Sequence, residues 1–368
     1  MRSRLLALAA ALAATLAGAA VPGVAARAAT PLSVHTVGNH LVNGSGHPIR
    51  LIGVNYSGTE YACIQGWGIF DGPHNLAAVQ AMKTWKVNAV RLPLNEDCWL
   101  GINHVGSTYG GAAYRNAVTS FVKLLTSHGI YAIVELHWSA PGTTKADGQR
   151  PMPDASHSPP FWRSVASTFK SNRAVIFDLF NEPYPDNNTD SLAAWRCWKF
   201  GGSCAGVDYE VAGMRQLMQV VRKTGAKNVV MLGGVTYANS LTQWLRYRPY
   251  DAAGETVAAA HVYGNNGCGA QNNAACLTTQ VAPVAKRFPV VFGETGETFD
   301  DSECGHSNTR TIYDWADSHH VSYLAWTWDT WGSCLSLISR FDGTVNRTDP
   351  SGQTYASYVH QHFLNRPS

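Results

Sequence analysis

Eight short apolar runs recur along the chain, and runs this short and this apolar fit strands buried on both faces of a parallel sheet. They are Arg50 to Asn55, Ala89 to Pro93, Tyr131 to Leu136, Val175 to Phe180, Val229 to Gly233, Val257 to His261, Val290 to Gly293 and Val321 to Thr327. Between them lie amphipathic stretches with helical spacing: Leu76 to Trp85, Ala113 to His128, Phe161 to Lys170, Tyr209 to Thr224 and Thr309 to His319. Strand and helix in such alternation predict an α/β fold closed into a (β/α)8 TIM barrel. Leu32 to Leu51, punctuated by Asn43-Gly44 and Ser45-Gly46, reads as an N-terminal β-hairpin covering the barrel floor. The proline-rich segment from Ser139 to Pro160 follows the third run and belongs beside the barrel mouth.

The first 28 residues read as a secretory signal peptide. Basic Met1-Arg-Ser-Arg4 precedes an apolar run from Leu5 to Ala20, and Ala26-Arg27-Ala28 offers small residues at a cleavage site. Residues 29–368 contain no linker, charge block or short repeat, so a single large domain is expected. Cleavage after Ala28 removes Arg2, Arg4 and Arg27 and no acidic residue, taking the formal charge from +3 to zero. A neutral chain has no electrostatic footprint for nucleic acid or an anionic membrane, so neither is an expected partner. Twelve Trp and fifteen Tyr instead suit a ligand with flat apolar faces, although most aromatics fill cores.

Eight cysteines in an exported chain point to four disulfides. Proximity in sequence favours Cys197 with Cys204 and Cys268 with Cys276; for the other four we favour Cys63 with Cys98 and Cys304 with Cys334. No C-x2-C pair occurs, and the adjacent His319 and His320 do not converge on one ion, so no metal is expected.

Two glutamates stand directly after apolar runs. Glu182 lies between Asn181 and Pro183 beyond the fourth run, and Glu294 follows Gly293 at the end of the seventh. Carboxylates from the carboxyl ends of two barrel strands can meet in one cleft, the arrangement that cleaves a glycosidic bond. Glu297 competes with Glu294 but lies three residues further from its strand. Arg91, ending the second run, is the best source of positive charge for a carboxylate nucleophile.

Six short motifs carry a further resemblance: Val90-Arg-Leu-Pro93, Glu135-Leu-His-Trp138, Phe180-Asn-Glu-Pro183, His261-Val-Tyr263, Gly293-Glu-Thr-Gly296 and Ala325-Trp-Thr-Trp328. In this order, and over nearly the whole chain after the leader, the sequence resembles a family 5 glycoside hydrolase, the cellulase family. The resemblance implies Glu182 as proton donor and Glu294 as nucleophile. It implies that Asn181 bonds the sugar 2-hydroxyl, that Arg91 and His137 hold the polar network, that Tyr263 donates to Glu294 and that His261 lies against the acid. Trp326 would form the sugar-stacking floor, with Trp328 as the alternative. Trp67, Trp99, Trp138 and Trp331 are candidates for more distant subsites or for packing.

The expected protein is a secreted, extracellular, monomeric enzyme that needs no cofactor and cleaves a β-linked polysaccharide with retention, most simply as an endo-β-1,4-glucanase. Mannan, β-1,3- or β-1,6-glucan and galactan are alternatives, because the catalytic residues do not encode the sugar. A catalytically silent carbohydrate-binding barrel is the reading from another class. A peptidase is disfavoured, since H-E-x-x-H and G-x-S-x-G are both absent.

Overall fold

Along the third strand, Tyr131, Ile133, Glu135 and His137 share one face, while Ala132, Val134 and Leu136 share the other. Both faces are buried, which is why the run is nearly continuous in apolar residues. The same holds around a ring of eight parallel strands: β1 (Ile52–Asn55), β2 (Ala89–Asn95), β3 (Tyr131–Trp138), β4 (Val175–Asp178), β5 (Val230–Gly233), β6 (Thr256–Tyr263), β7 (Val290–Gly296) and β8 (Ser322–Ala325). Each pairs with the next in chain order, and β8 closes on β1 through Tyr323 opposite Ile52. This is the expected (β/α)8 TIM barrel. The computed structural model describes residues 31–264, 268, 274–297, 304–347 and 353–366; the expected leader, residues 1–28, lies outside them.

Outward side chains such as Val90, Leu92, Val134, Leu136 and Phe177 pack against the surrounding helices. Inward, Ala89, Ile133, Ile176, Met231, Ala259, Val291 and Leu324 form an apolar plug. At about 1.5–3 kcal/mol for each large aliphatic chain fully buried, Ile133, Ile176, Val291 and Leu324 together contribute on the order of 10 kcal/mol. Above that plug, the next inward residues are Arg91, Glu135, Asp178 and His261, all fully or nearly fully buried. Burying ions costs several kcal/mol each, so the apolar layers below must offset the charged layer above.

The expected N-terminal hairpin, turning at Asn43–Gly46, is extended by one more strand into a three-stranded antiparallel sheet on the floor. Val34–Val37 turns at Gly38 into His40–Asn43, which turns again into Pro48–Ile49. The first turn was not read in the sequence because Gly38, at φ +60°, follows a run too short to stand out as a strand. Val34 and Leu41 pack with Tyr131, Ala174, Val229 and Val257, the residues where strands begin. Glu255 ties the sheet down by accepting from the Thr36 backbone N–H at 2.8 Å and from Arg173 at 3.0 Å.

Four disulfides join the pairs expected: Cys63–Cys98, Cys197–Cys204, Cys268–Cys276 and Cys304–Cys334. The first fastens the loop after β1 to the short helix Glu96–Leu100 after β2. Two helix starts differ from expectation by three residues or more. Ser158–Phe169 begins before Pro159 and Pro160, whose fixed φ suits a first turn. Met214–Lys223 begins after Gly213, because Val211–Ala212 pairs with Gly201–Gly202 instead of coiling. Among the described residues no helix is long and apolar enough to cross a membrane.

Candidate active site

Strand β7 holds one residue more than its neighbours. Ala260 pairs with Phe292 but His261 with Glu294, and on the other edge Phe292 pairs with Tyr323 but Thr295 with Ala325. Gly293 is the extra residue in both ladders. Strict alternation from the inward Val291 would send Glu294 outward; the bulge resets the phase and turns it into the barrel. Asn55, the last residue of β1, holds the bulge by donating Nδ2–H to the Gly293 carbonyl at 3.0 Å.

Glu294 then meets two donors. Arg91 Nη1 donates to its Oε1 and the Tyr263 hydroxyl to its Oε2, each at 2.7 Å. Arg91 is wholly buried, and the same guanidinium donates to Asp178 Oδ2 at 3.0 Å, Asn55 Oδ1 at 3.0 Å and Asn181 Oδ1 at 2.9 Å, with Glu135 at 3.5 Å. Burial opposes its charge, but Glu135, Asp178 and Glu294 outweigh that and hold it firmly protonated.

Glu182 arrives from β4. Beyond Asp178 the chain still runs beside its neighbours, Leu179 N–H donating to Met231 O at 3.2 Å and Asn181 N–H to Leu136 O at 3.0 Å. That path sets Glu182 at the mouth, its side chain 16% exposed. His261 Nδ1 lies 2.8 Å from its Oε1, and Gln149 Nε2 donates to its Oε2 at 2.7 Å. Burial pushes the Glu182 carboxyl above its ordinary range, with the Gln149 hydrogen bond working against the rise. Ligating atoms of Glu182, His261 and Glu294 all lie within 4.8 Å of one another.

The two histidines are held in opposite charge states. Burial, helped by Arg91, brings His261 down to about 4, so its ring is neutral. Burial also works against charge on His137, but Glu135 hydrogen-bonded at Nδ1, with Glu60 and Glu294 nearby, lifts it to about 9. His137 lies parallel to Trp326, centroids 5.9 Å apart and planes within 14°. Trp326 is half-buried beside the site, whereas Trp328 is buried against Trp85 in the core. The Trp326–Thr327 peptide is cis.

All eight residues singled out in the sequence, Arg91, His137, Asn181, Glu182, His261, Tyr263, Glu294 and Trp326, come together. Glu297 does not join them; it accepts from backbone and side chain of Asn308 and Thr309, anchoring the start of the helix Ser307–Ser318. Trp99 is not a subsite residue, since it is fully buried with Nε1–H on Ser164. Trp67, Trp138 and Trp331 surround Tyr61, at centroid distances of 5.9, 6.4 and 5.9 Å. Asp71 accepts from the Tyr61 hydroxyl and from Trp331 Nε1. On the Glu182 side, Tyr184 and Tyr237 stack at 4.4 Å. Asn55, Asp178, Gln149, Tyr61, Tyr184 and Tyr237 were not read as site residues. Of these, only Asn55 and Asp178 carried a signal, as polar residues within apolar runs.

Glu182, His261 and Glu294 are also a donor set of metal-ligating type, as are Glu96, Asp97 and His157. In the first set each donor already has a partner, and a cation would share its space with the Arg91 guanidinium.

A parallel barrel with paired carboxylates at the ends of β4 and β7, Glu294 beside a guanidinium and Glu182 at the mouth beside a neutral imidazole, defines a glycoside hydrolase. More narrowly, the chain belongs to the cellulase family, glycosyl hydrolase family 5, whose family model matches residues 42–332. It is similar to endoglucanase CelA of Streptomyces lividans, 23% identical over 311 residues that cover 81% of this chain and 57% of that one. It is also similar to cellulase CelDZ1 of a Thermoanaerobacterium species, 21% identical over 77% of this chain and 66% of that one. The chain thus spans less than two thirds of the length of these curated relatives. The fold matches that of β-glucanase SdGluc5_26A from Saccharophagus degradans in complex with cellotetraose, with TM-score 0.68, 19% identity and coverage of 91% of this chain and 94% of that one.

Proposed function

We propose that this chain is a secreted endo-β-1,4-glucanase that works with retention of configuration, Glu294 as nucleophile and Glu182 as acid and then base. The observation that carries the reading is the closeness and asymmetry of the two carboxyl groups. One oxygen of each lies within 4.8 Å of one oxygen of the other, which favours the separation of about 5–5.5 Å that retaining enzymes use over the inverting range of about 6.5–9.5 Å.

Glu294, held by Arg91 and Tyr263, attacks the anomeric carbon. Glu182, whose burial favours the protonated form, gives its proton to the leaving oxygen. The new Glu182 carboxylate then draws a proton from water, which attacks the glycosyl-enzyme ester and frees Glu294. Asn181 Oδ1 is occupied by Arg91, so its Nδ2 is oriented to donate to the sugar 2-hydroxyl. Trp326 supplies the apolar face for the reacting ring, and Trp67, Trp138 and Trp331 around Tyr61 supply stacking surface further along the cleft.

The β-1,4-glucan assignment is supported by what the relatives are named for: endoglucanase, cellulase, and a β-glucanase with cellotetraose. Export is supported by four disulfides with no free cysteine among the described residues. The test is a panel of β-glucans, mannan and galactan, assayed with wild type, Glu182→Gln and Glu294→Gln. Release of cello-oligosaccharides by wild type alone is expected. Wild-type turnover by either variant would refute the residue roles, and preference for another glycan would refute the substrate.

A further inference from the structure

We propose that Gln149 is a positioning residue for the acid/base glutamate: its amide and the His261 imidazole clamp the two oxygens of Glu182 through both protonation states of the reaction. The inference rests on the reading of Glu182 as proton donor. Each oxygen has its own partner, His261 Nδ1 on Oε1 at 2.8 Å and Gln149 Nε2 on Oε2 at 2.7 Å. Two hydrogen bonds on opposite oxygens fix both the position and the plane of the carboxyl group.

The chemistry of the partners matters as much as their number. A neutral imidazole and a primary amide each offer a donor and an acceptor. When Glu182 is ionised, both present N–H. When it is protonated, one of them accepts: the imidazole by changing tautomer, or the amide by a half-turn that exchanges Nε2 for Oε1. A lysine in place of Gln149 could only donate, never accept the acid proton, and its charge would favour the ionised state.

The loop that delivers Gln149 is fixed on both sides. Ala146 O accepts from Asn95 at 2.7 Å, and its N–H donates to Asp97 at 3.0 Å. Beyond Gln149, Pro151 O accepts from the Tyr184 N–H at 2.9 Å, and Gln149 O accepts from the Tyr184 hydroxyl at 3.3 Å. Tyr184 is two residues past Glu182, so the loop grips the segment that carries the acid. The other groups facing Glu182 are Arg91 from β2, Glu135 and His137 from β3, and His261, Tyr263 and Glu294 from β6 and β7, with Tyr184 on its own segment.

Two substitutions test this in opposite directions. Gln149→Leu removes the donor, and Gln149→Lys makes it permanent and cationic. In the full chain, the 13C titration of the Glu182 carboxyl, assigned by its loss in Glu182→Gln, should move up by about one unit in the leucine variant and down in the lysine variant. The alkaline limb of kcat/KM should follow in the same two directions, while far-UV circular dichroism stays unchanged. An unmoved titration, or a loss of activity equal at every pH, would overturn the proposal. The titration needs no substrate, so it still decides on Gln149 even if Glu182→Gln keeps activity and the acid assignment fails.

Discussion

A β-carbon on Gly293 would stand 3.1 Å from Nε2 of His261. The ring has little freedom to retreat, being 1% exposed and hydrogen-bonded to Glu182. Gly293→Ala should therefore move the bulge or the imidazole, costing about 1–3 kcal/mol of stability and about tenfold or more in kcat/KM, the loss that about 1.4 kcal/mol of transition-state stabilisation produces. Urea unfolding and steady-state kinetics measure the two losses, and wild-type values in both would show that the bulge tolerates a side chain.

The glutamates should differ in how they respond to the leaving group. Loss of a general acid costs about 10²–10⁴-fold on an unactivated glycoside but far less on a dinitrophenyl glycoside, which departs without a proton. Glu182→Ala should thus retain substantial first-step rate on the activated substrate. Glu294→Ala should lose more than about 10³-fold on both. A burst experiment with the two substrates distinguishes them, and equal losses for the two variants would reverse or void the assignment.

Removing the buried guanidinium should be severe. Arg91→Met keeps much of the volume but leaves Asp178, Glu135 and Glu294 facing each other in the barrel. Breaking a buried ion pair costs about 3–5 kcal/mol, so the variant should unfold at markedly lower denaturant and show no activity. A thermal or urea midpoint near wild type would mean that the carboxyl groups simply take up protons.

His137 should make the fold less stable in alkali. Its ring titrates near 9 in the folded chain against an ordinary value of 6.5, so its contribution is complete below about pH 6.5 and fades as pH rises through 9. The shift is worth about 3 kcal/mol at most. The stability measured between pH 7 and 10 should fall less steeply in His137→Gln than in wild type. Asp178 and Glu60, raised by burial to about 7, act mainly below this window.

The Cys63–Cys98 link closes a separation of 35 residues, for which chain entropy predicts about 4 kcal/mol. Replacing both cysteines by serine should lower the unfolding midpoint and raise KM, because the loop bears Glu60, Tyr61 and Trp67. An unchanged KM with a lowered midpoint would confine the link to stability.

Strand identity was legible because both strand faces are buried, yet the strand ends were not. β2, β3, β6 and β7 run two or three residues further than the apolar runs, to Asn95, Trp138, Tyr263 and Gly296. Their last turns face a polar layer inside the barrel, where hydrophobicity no longer marks a strand. β8 ends earlier, at Ala325, before the cis peptide. Glu294 was found by its place after an apolar run, although its inward direction depends on a bulge that only pairing reveals. Gln149 left no trace, since a loop residue with neither periodicity nor motif reaches the site through contacts made far along the chain.

Arg91 gathers Asn55, Glu135, Asp178, Asn181 and Glu294, groups carried by β1, β3, β4 and β7 and the segment after β4. A chain in which β7 has not docked therefore has no oriented Glu294 carboxylate and a guanidinium short of one of its counter-charges. During refolding, recovered turnover should then rise in step with ring closure, so specific activity becomes a count of completed barrels in a preparation.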